Sequence, residues 1–210
     1  MNEKFVITIG RQLGSGGMFI GKKLAEKLNI PFYDKELLAI ASKESGIEKE
    51  LFEQADEKKK VSLLGGLFNL KTAYNVYEWY SNPILSNETL FKVQSDIIKN
   101  LAEKQSCIFV GRCADYVLRN HPRCVNIFLC ADIKDRMEYI LEMENISEEK
   151  IKDFIEKTDK KRANYYNYYS NKTWGEASSY HLCINTSVLG MDKSAGFILE
   201  FAQEKFGLNI

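Results

Sequence analysis

The fold of this chain is decided close to its start, by Phe5-Val6-Ile7-Thr8-Ile9 followed directly by Gly10-Arg11-Gln12-Leu13-Gly14-Ser15-Gly16-Gly17. The first five residues are β-branched or aromatic and predict a strand. A helix is predicted after the glycines, because Ile20, Leu24 and Leu28 recur at every fourth position. A strand, a glycine-rich turn and a helix in this order predict a nest of main-chain N–H groups that binds phosphate at the positive end of the helix dipole.

One part of the usual phosphate loop is absent from this sequence. The pattern G-x-x-x-x-G-K-[ST] ends in a lysine and a hydroxyl residue, whereas this chain has Gly16-Gly17-Met18 there. Arg11 is expected to place its guanidinium against a phosphate, and an arginine folded over the surface is the alternative. Lys22 and Lys23, one turn into the helix, are alternative cations, although exposed helix lysines are usually only solvated. The residues expected to bind the donor phosphates are Leu13, Gly14, Ser15, Gly16, Gly17 and Met18, with the Ser15 hydroxyl interpreted either as a ligand of phosphate or metal or as a turn former.

Length and composition narrow the class of protein. The 210 residues are enough for one sizeable domain, with 45% hydrophobic and 28% charged residues. Lys+Arg and Asp+Glu both number 29, so net charge gives no argument for a nucleic-acid or membrane partner. The five cysteines include no C-x-x-C pair, and no apolar run approaches the ~20 residues of a membrane-spanning helix. We therefore expect a cytoplasmic protein with reduced thiols.

The rest of the chain alternates predicted strands with predicted helices, which indicates a parallel sheet covered by helices on both faces. Strands are predicted at 5–9, 30–34, 107–110, 125–129 and 182–185, and helices at 17–29, 35–45, 48–60, 87–103, 132–144, 147–169 and 192–206. Such a sheet binds ligands at the carboxyl ends of its strands. Those ends carry the glycine loop, Asp34, the segment Gly111–Asp115 and the segment Asn185–Ser187. A phosphate nest, two carboxylates and an arginine are what phosphoryl transfer needs.

Several motifs, in a fixed order, resemble one known family. They are Gly14-Ser15-Gly16-Gly17 with Ile20–Ala25, Phe32-Tyr33-Asp34-Lys35-Glu36-Leu37, Val110-Gly111-Arg112-Cys113-Ala114-Asp115, and a C-terminal set of Asp159, Arg162, Tyr165, Tyr166, Trp174-Gly175 and Cys183-Ile184-Asn185-Thr186. Together they resemble the cytidylate kinase-like family, in the nucleoside-monophosphate-kinase branch of P-loop proteins. The resemblance implies a three-layer α/β/α P-loop domain with a parallel sheet. It implies a core of about 1–34, 104–131 and 180–210, a helical acceptor-binding insertion of about 35–103, and a helical lid of about 132–179.

The resemblance also implies roles for single residues. Arg112 would grip the acceptor phosphate, with Asp115 and Asp34 organising the acceptor side. Arg136 and Arg162 of the lid would bind donor phosphates, and Thr186 would belong to the nucleotide-binding set. A simpler account of Arg112 and Asp115 is an ion pair at a helix start. The tyrosines between Tyr165 and Tyr169, and the aromatic run Tyr74–Tyr80, would cover a base or only pack; the second run could also form a dimer interface.

The function predicted from these features is phosphoryl transfer from ATP·Mg²⁺ to a small acceptor, most plausibly a nucleoside monophosphate such as CMP. The alternative is a nucleotide-binding or sensing protein that has kept the phosphate loop and lost the chemistry, which Met18 and the missing lysine favour. A dinucleotide-dependent oxidoreductase is disfavoured, because Phe19 stands where G-x-G-x-x-G needs its last glycine. A zinc site is disfavoured by the spacing of its candidate ligands, which are Cys107, Cys113, Cys124, Cys130 and His121. A homodimer is left open.

Overall fold

The computed structural model describes residues 4–34, 87–144 and 146–208. The helices predicted at 35–45 and 48–60 and the aromatic run Tyr74–Tyr80 lie outside these residues. The described strands are β1 (Val6–Arg11), β2 (Phe32–Tyr33), β3 (Cys107–Val110), β4 (Cys124–Cys130) and β5 (Leu182–Asn185). The described helices are α1 (Gly17–Leu28), α2 (Asn87–Lys104), α3 (Ala114–Val117), α4 (Ile133–Met143), α5 (Glu148–Ser170), a 3₁₀ turn (Ala177–Ser179) and α6 (Thr186–Phe206).

The five described strands form one parallel sheet in the order β2-β3-β1-β4-β5. The first strand of the chain lies at its centre, with Ile9 opposite both Val110 and Ile127. The phosphate loop that follows β1 therefore begins at the middle of the carboxyl edge, beside the ends of β3 and β4. The predicted α/β fold with a parallel sheet is confirmed, and this strand order brings the predicted ligand-binding segments together.

Apolar side chains on both faces of the sheet form the core. Ile7 and Ile9 belong to a cluster that includes buried residues of α1 and α6, whereas Val6 belongs to a second cluster with α2 and α3. Neighbouring residues of a strand point to opposite faces, so β1 contributes to both clusters and is buried on both sides. The result is the predicted three-layer arrangement of helix, sheet and helix.

Two short helical segments were not predicted from the sequence. The residues after β5 form a first helical turn from Thr186, because the Asn185 side chain caps it by accepting a hydrogen bond from Ser187 N at 3.0 Å. Gly190, with non-helical φ and ψ angles of 75° and 163°, separates this turn from the rest of α6, and the helix predicted at 192–206 follows it. The short helix α3 directly after the β3 turn was not predicted, since four residues carry no periodic pattern.

Helices α4 and α5 form a hairpin beside the phosphate loop. Ile140 of α4 packs with Ile151 and Ile155 of α5 in a small separate cluster, to which Leu13 of the loop adds a partly buried side chain. The loop is thus packed against the hairpin as well as against its own strand. Among the described helices, we find none with the combination of length and apolar content that membrane crossing requires.

Candidate active site

The loop after β1 has the backbone of an anion nest. Gly14 and Gly16 adopt left-handed φ angles of 81° and 77°, and α1 begins directly afterwards. No side chain caps the α1 N-terminus and its first turn holds no acidic residue, so the positive end of the helix dipole faces the loop without a competing carboxylate from α1 itself. Two of the loop glycines therefore have the left-handed backbone that an anion nest uses.

The Ser15 hydroxyl is directed into the fold. Ser15 is fully buried, and its Oγ donates towards the carbonyl oxygens of Gln12 at 2.9 Å and Leu129 at 3.2 Å. Of the two interpretations of this hydroxyl, turn former and ligand, the observed contacts favour the turn former. The Ser15 N–H also donates a hydrogen bond to the Gln12 carbonyl, at 3.4 Å.

Thr186 supports the loop from the end of β5. It is buried, and its Oγ1 lies 3.2 Å from the carbonyl oxygens of both Ser15 and Cys130. Through these contacts Thr186 connects the loop with α6 and β4 and stabilises the conformation of the loop. Its predicted contact with the nucleotide stays a prediction.

The α4–α5 hairpin holds the loop at Leu13 on both main-chain polar groups. Asp159 Oδ1 accepts a hydrogen bond from Leu13 N at 2.8 Å, and Arg136 Nε donates to the Leu13 carbonyl at 2.7 Å. Arg136 and Asp159 also form an ion pair with each other, with side chains only 7% and 15% exposed. In this arrangement the Arg136 guanidinium is committed to the loop and to Asp159, and the Leu13 N–H is already bonded to a carboxylate.

Three arginines meet in the cleft between the loop and the β3 turn. Arg162 Nη1 donates to the Arg11 carbonyl at 3.2 Å, and Arg112 lies with its guanidinium carbon 5.6 Å from the Tyr165 ring centre. Burial, together with the charges of Arg162 and Arg112, lowers the pKa of Arg11 to about 9, and the carboxylates of Asp34 and Asp159 oppose this shift. The cleft therefore holds closely spaced positive charges, which favours an anionic ligand.

The turn after β3 presents Arg112 in an uncommon conformation. Arg112 and Cys113 have φ angles of 60° and 53°, directly after Gly111 at 77°. Left-handed non-glycine residues cost roughly 1–3 kcal/mol each and are concentrated at functional sites. Gly111 N donates to the Ile9 carbonyl at 3.0 Å, which ties this turn to the end of β1. The turn thereby holds Arg112 beside the phosphate loop.

Asp115 forms the buried floor of the same cleft. Tyr166 donates its hydroxyl hydrogen to Asp115 Oδ2 at 2.7 Å. Burial raises the pKa of Asp115, and the hydrogen bond from Tyr166 partly offsets this. Burial together with the nearby Asp115 carboxylate raises the pKa of the Tyr166 and Tyr180 phenols. Both tyrosines therefore remain neutral hydrogen-bonding groups.

A cleft of about 340 Å³ is lined by residues from β1, from the end of β3 and its turn, and from α5. Four of the five predicted catalytic residues line it, namely Arg11, Arg112, Asp115 and Arg162. The fifth, Asp34, is near enough to Arg11 to raise the pKa of that guanidinium. Sequence reasoning missed the lining residues Lys161 and Tyr180, because a charged helix face and a tyrosine before a strand carry no local signal. Trp174 and Tyr180 give the cleft one aromatic wall.

Other predicted candidates lie elsewhere. Lys23 pairs with Asp192 of α6, and Lys22 is exposed on α1. Tyr169 stacks on Phe91 of α2 with ring centres 4.0 Å apart, so the tyrosine run of α5 partly packs the helix and partly lines the cleft.

The cysteines and acidic residues were compared with the needs of a protein metal site. In the described ranges we find no group of three or more His, Cys, Asp or Glu side chains placed to hold a metal ion. All five cysteines are free thiols. Burial raises the pKa of Cys107, Cys113 and Cys124 to about 12, so these thiols stay protonated at neutral pH.

Comparison with known proteins supports what the geometry suggests. The profile of the cytidylate kinase-like family matches residues 6–188. An uncharacterized protein from Eubacterium ventriosum is 28% identical, with a TM-score of 0.70 over 95% of this chain and 99% of that one. Two shikimate kinases share the fold: that of Bacteroides thetaiotaomicron (16% identity, TM-score 0.52, 97% and 99% covered) and that of Acinetobacter baumannii in complex with shikimate (13%, 0.53, 97% and 95%).

A search of curated proteins gives no match. The family match covers most of the chain, and the parallel sheet and central loop have the fold of P-loop kinases. The protein is a member of the cytidylate kinase-like family.

Proposed function

We propose that this protein transfers a phosphoryl group from ATP·Mg²⁺ to a nucleoside monophosphate, with CMP as the first acceptor to test. The observation that carries the proposal is that three arginines, Arg11, Arg112 and Arg162, line one cleft. The Arg11 side chain also lies against Gly17 of the glycine loop, which connects this cleft with the loop. Phosphoryl transfer depends mainly on positioning and on compensating negative charge, and both are what such a cleft supplies.

The donor side of the proposed site is the glycine loop, which follows Arg11 of the cleft along the chain. The N–H groups of Gly14 to Met18, at the uncapped α1 N-terminus, would bind the donor phosphates. Arg136 and Asp159 would keep the loop in shape through Leu13. Arg162 would help to neutralise the transferred group from α5.

The acceptor side is formed by the β3 turn and the aromatic wall. Arg112 would bind the acceptor phosphate, in keeping with its place above Tyr165 and beside the loop. Trp174 and Tyr180 offer ring faces against which a planar base can lie. The reaction forms a bond from an acceptor phosphate oxygen to the γ-phosphorus while the bond to the β–γ bridging oxygen breaks, and ADP leaves.

The donor set fits a magnesium ion that arrives with the nucleotide. Mg²⁺ usually keeps several waters and binds through one or two carboxylates together with substrate phosphates. Asp34 is the carboxylate at the carboxyl end of β2 and would be its protein ligand, whereas Asp115 is buried against Tyr166. When bound, the ion would neutralise charge on the donor phosphates.

The kinase proposal is tested by measuring ADP release with ATP, Mg²⁺ and a panel of nucleoside monophosphates. We expect release that depends on the acceptor and is fastest with one pyrimidine or purine monophosphate. Shikimate belongs in the panel, since two solved structures of this fold are shikimate kinases. ADP release at the same rate with and without every acceptor would contradict the proposal.

A second candidate function is nucleotide binding without transfer. It is favoured by two observations, the absence of the loop lysine and the bond from Leu13 N to Asp159, which occupies one loop amide. A ligand that binds only the native state raises its apparent stability. Thermal stabilisation by ATP·Mg²⁺ with no turnover on any acceptor would support this candidate over the kinase.

A further inference from the structure

The space beside Gly17 is filled by a side chain from another part of the loop. Gly17 stands where the loop pattern has its lysine. A Cβ at this position would lie 2.7 Å from Cγ, 2.9 Å from Cβ and 3.5 Å from Cδ of Arg11. Real Cβ atoms essentially never approach a neighbour below 3.0 Å. The Arg11 stem therefore runs along the α1 N-terminus through the volume in which a side chain at 17 would begin.

The far end of the same side chain reaches a second glycine. A Cβ at Gly111 would lie 2.1 Å from Nη1 and 3.0 Å from Cζ of Arg11. Gly111 is the first residue of the β3 turn and has a φ of 77°. The Arg11 side chain thus crosses from the phosphate loop to the acceptor-side turn, and it is enclosed by a glycine at each end.

We propose that Arg11 has taken over the role of the missing loop lysine, and that Gly17 is a glycine because the stem of the arginine occupies its side-chain space. This inference rests on the proposed function, because it makes Arg11 a catalytic residue that contacts the donor phosphates. The lysine of an ordinary loop approaches these phosphates from the first turn of the helix. Here the cation approaches from the end of β1 and lies across that turn.

The charges around Arg11 agree with this role. Arg162 and Arg112 repel its guanidinium, and Asp34 and Asp159 attract it. Asp159 is already bonded to Arg136 and to Leu13 N. An anion with several charges would relieve the repulsion, and a planar guanidinium can contact two oxygen atoms of such an anion at once.

Three neighbouring cations form ion pairs or hydrogen bonds with other groups of the protein. Lys23 is paired with Asp192, Arg136 is held in the buried pair with Asp159, and Arg162 donates to the Arg11 carbonyl. Each of these contacts directs the cation to a protein group instead of to the first turn of α1. Within the described ranges, the Arg11 side chain lies along that turn, against Gly17.

The inference is tested by moving the cation back to the helix. Arg11→Ala should weaken binding of ATP·Mg²⁺ and of inorganic triphosphate, measured by titration calorimetry, and lower turnover on the order of a hundredfold. The double variant Arg11→Gly/Gly17→Lys also removes the Arg11 Cβ, which would lie 2.9 Å from a Cβ at 17, and places a lysine in the vacated volume. It should recover at least tenfold of the affinity and of the turnover lost in Arg11→Gly. The single variant Gly17→Lys should bind ATP·Mg²⁺ and triphosphate poorly, because the Arg11 side chain still fills the volume beside residue 17. Arg119→Ala, at an exposed arginine on Tyr116, is the matched control and should change neither property.

The outcomes separate the two proposals. Full triphosphate affinity in Arg11→Ala would overturn the inference. A folded double variant that binds triphosphate no better than Arg11→Gly would overturn it as well, with folding checked by circular dichroism. Wild-type protein that binds triphosphate but turns over no acceptor would contradict the proposed kinase activity. The triphosphate affinities of the Arg11 and Gly17 variants would still decide the role of Arg11. Wild-type protein that binds no triphosphate would overturn both.

Discussion

The buried pair between Arg136 and Asp159 gives the sharpest prediction for stability. Asp159→Ala removes the acceptor of the Leu13 N–H and leaves the Arg136 guanidinium buried without its carboxylate, since the two side chains are only 7% and 15% exposed. Removing one partner of a buried ion pair costs about 3–5 kcal/mol. In a domain of this size that corresponds to a fall of about 6–20 °C in Tm.

The same helix supplies a matched control. Asp153 pairs with Lys157 at 2.7 Å, but these side chains are 64% and 71% exposed. Asp153→Ala should therefore cost less than about 1 kcal/mol. Urea denaturation followed by circular dichroism measures both variants under one set of conditions. If Asp159→Ala proved no more destabilising than Asp153→Ala, the buried clamp on the loop would not exist as described.

Three further predictions concern the cleft and the thiols. Arg112→Ala should lower acceptor turnover on the order of a hundredfold while ATP affinity changes little, and steady-state kinetics with near-normal turnover would remove Arg112 from the site. The pKa of Asp115 in the folded state lies above its ordinary value of 3.8, so ionisation of this carboxyl lowers the stability as the pH rises above that value. Urea melts from pH 4 to 8 should therefore show the free energy of unfolding of Asp115→Asn rising relative to that of the wild type. A difference that stays constant over this pH range would contradict the prediction. Iodoacetamide at pH 8, followed by mass spectrometry, should label the exposed Cys183 first, and equal labelling would be inconsistent with the burial of Cys107, Cys113 and Cys124.

Local sequence patterns were sufficient for much of the fold. The strands at 107–110 and 182–185 lie where they were predicted, since short β-branched or apolar runs bounded by polar residues leave little choice. The helix predicted at 192–206 is present after Gly190, whereas the turn from Thr186 that precedes it was not predicted. The capping residue Asn185 was visible in the sequence, but one turn that ends at Gly190 is too short to show a helical period.

The site could be predicted as a set of residues but not as a set of contacts. The strand-end rule identified Arg11, Arg112 and Asp115, and the structure places all three in one cleft. Asp159 illustrates the limit. The sequence pattern pairs it with Arg162 at i+3, which lies 4.0 Å from it in the structure. Its closer, buried partner is Arg136, which stands 23 residues earlier in the sequence. Local spacing cannot show a pairing that depends on how two helices pack.

The absence of the loop lysine could be read from the sequence, but the residue that takes its place could not. Gly17 in place of lysine was evident from the sequence and indicated that the cation had to come from elsewhere. That Arg11 occupies the space beside Gly17 depends on the direction in which its side chain leaves β1. Such a direction is a tertiary property, which no spacing rule provides.

The central claim is that main-chain N–H groups of the loop bind the donor phosphates. It is tested most directly by ¹H–¹⁵N NMR of the protein titrated with ATP·Mg²⁺, following the amide signals of Gly14, Gly16 and Gly17. We expect these signals to shift strongly and together, with Gly196 and Gly207 of the α6 region unchanged. Saturation of the protein with ATP while the three loop amides keep their positions would contradict the account.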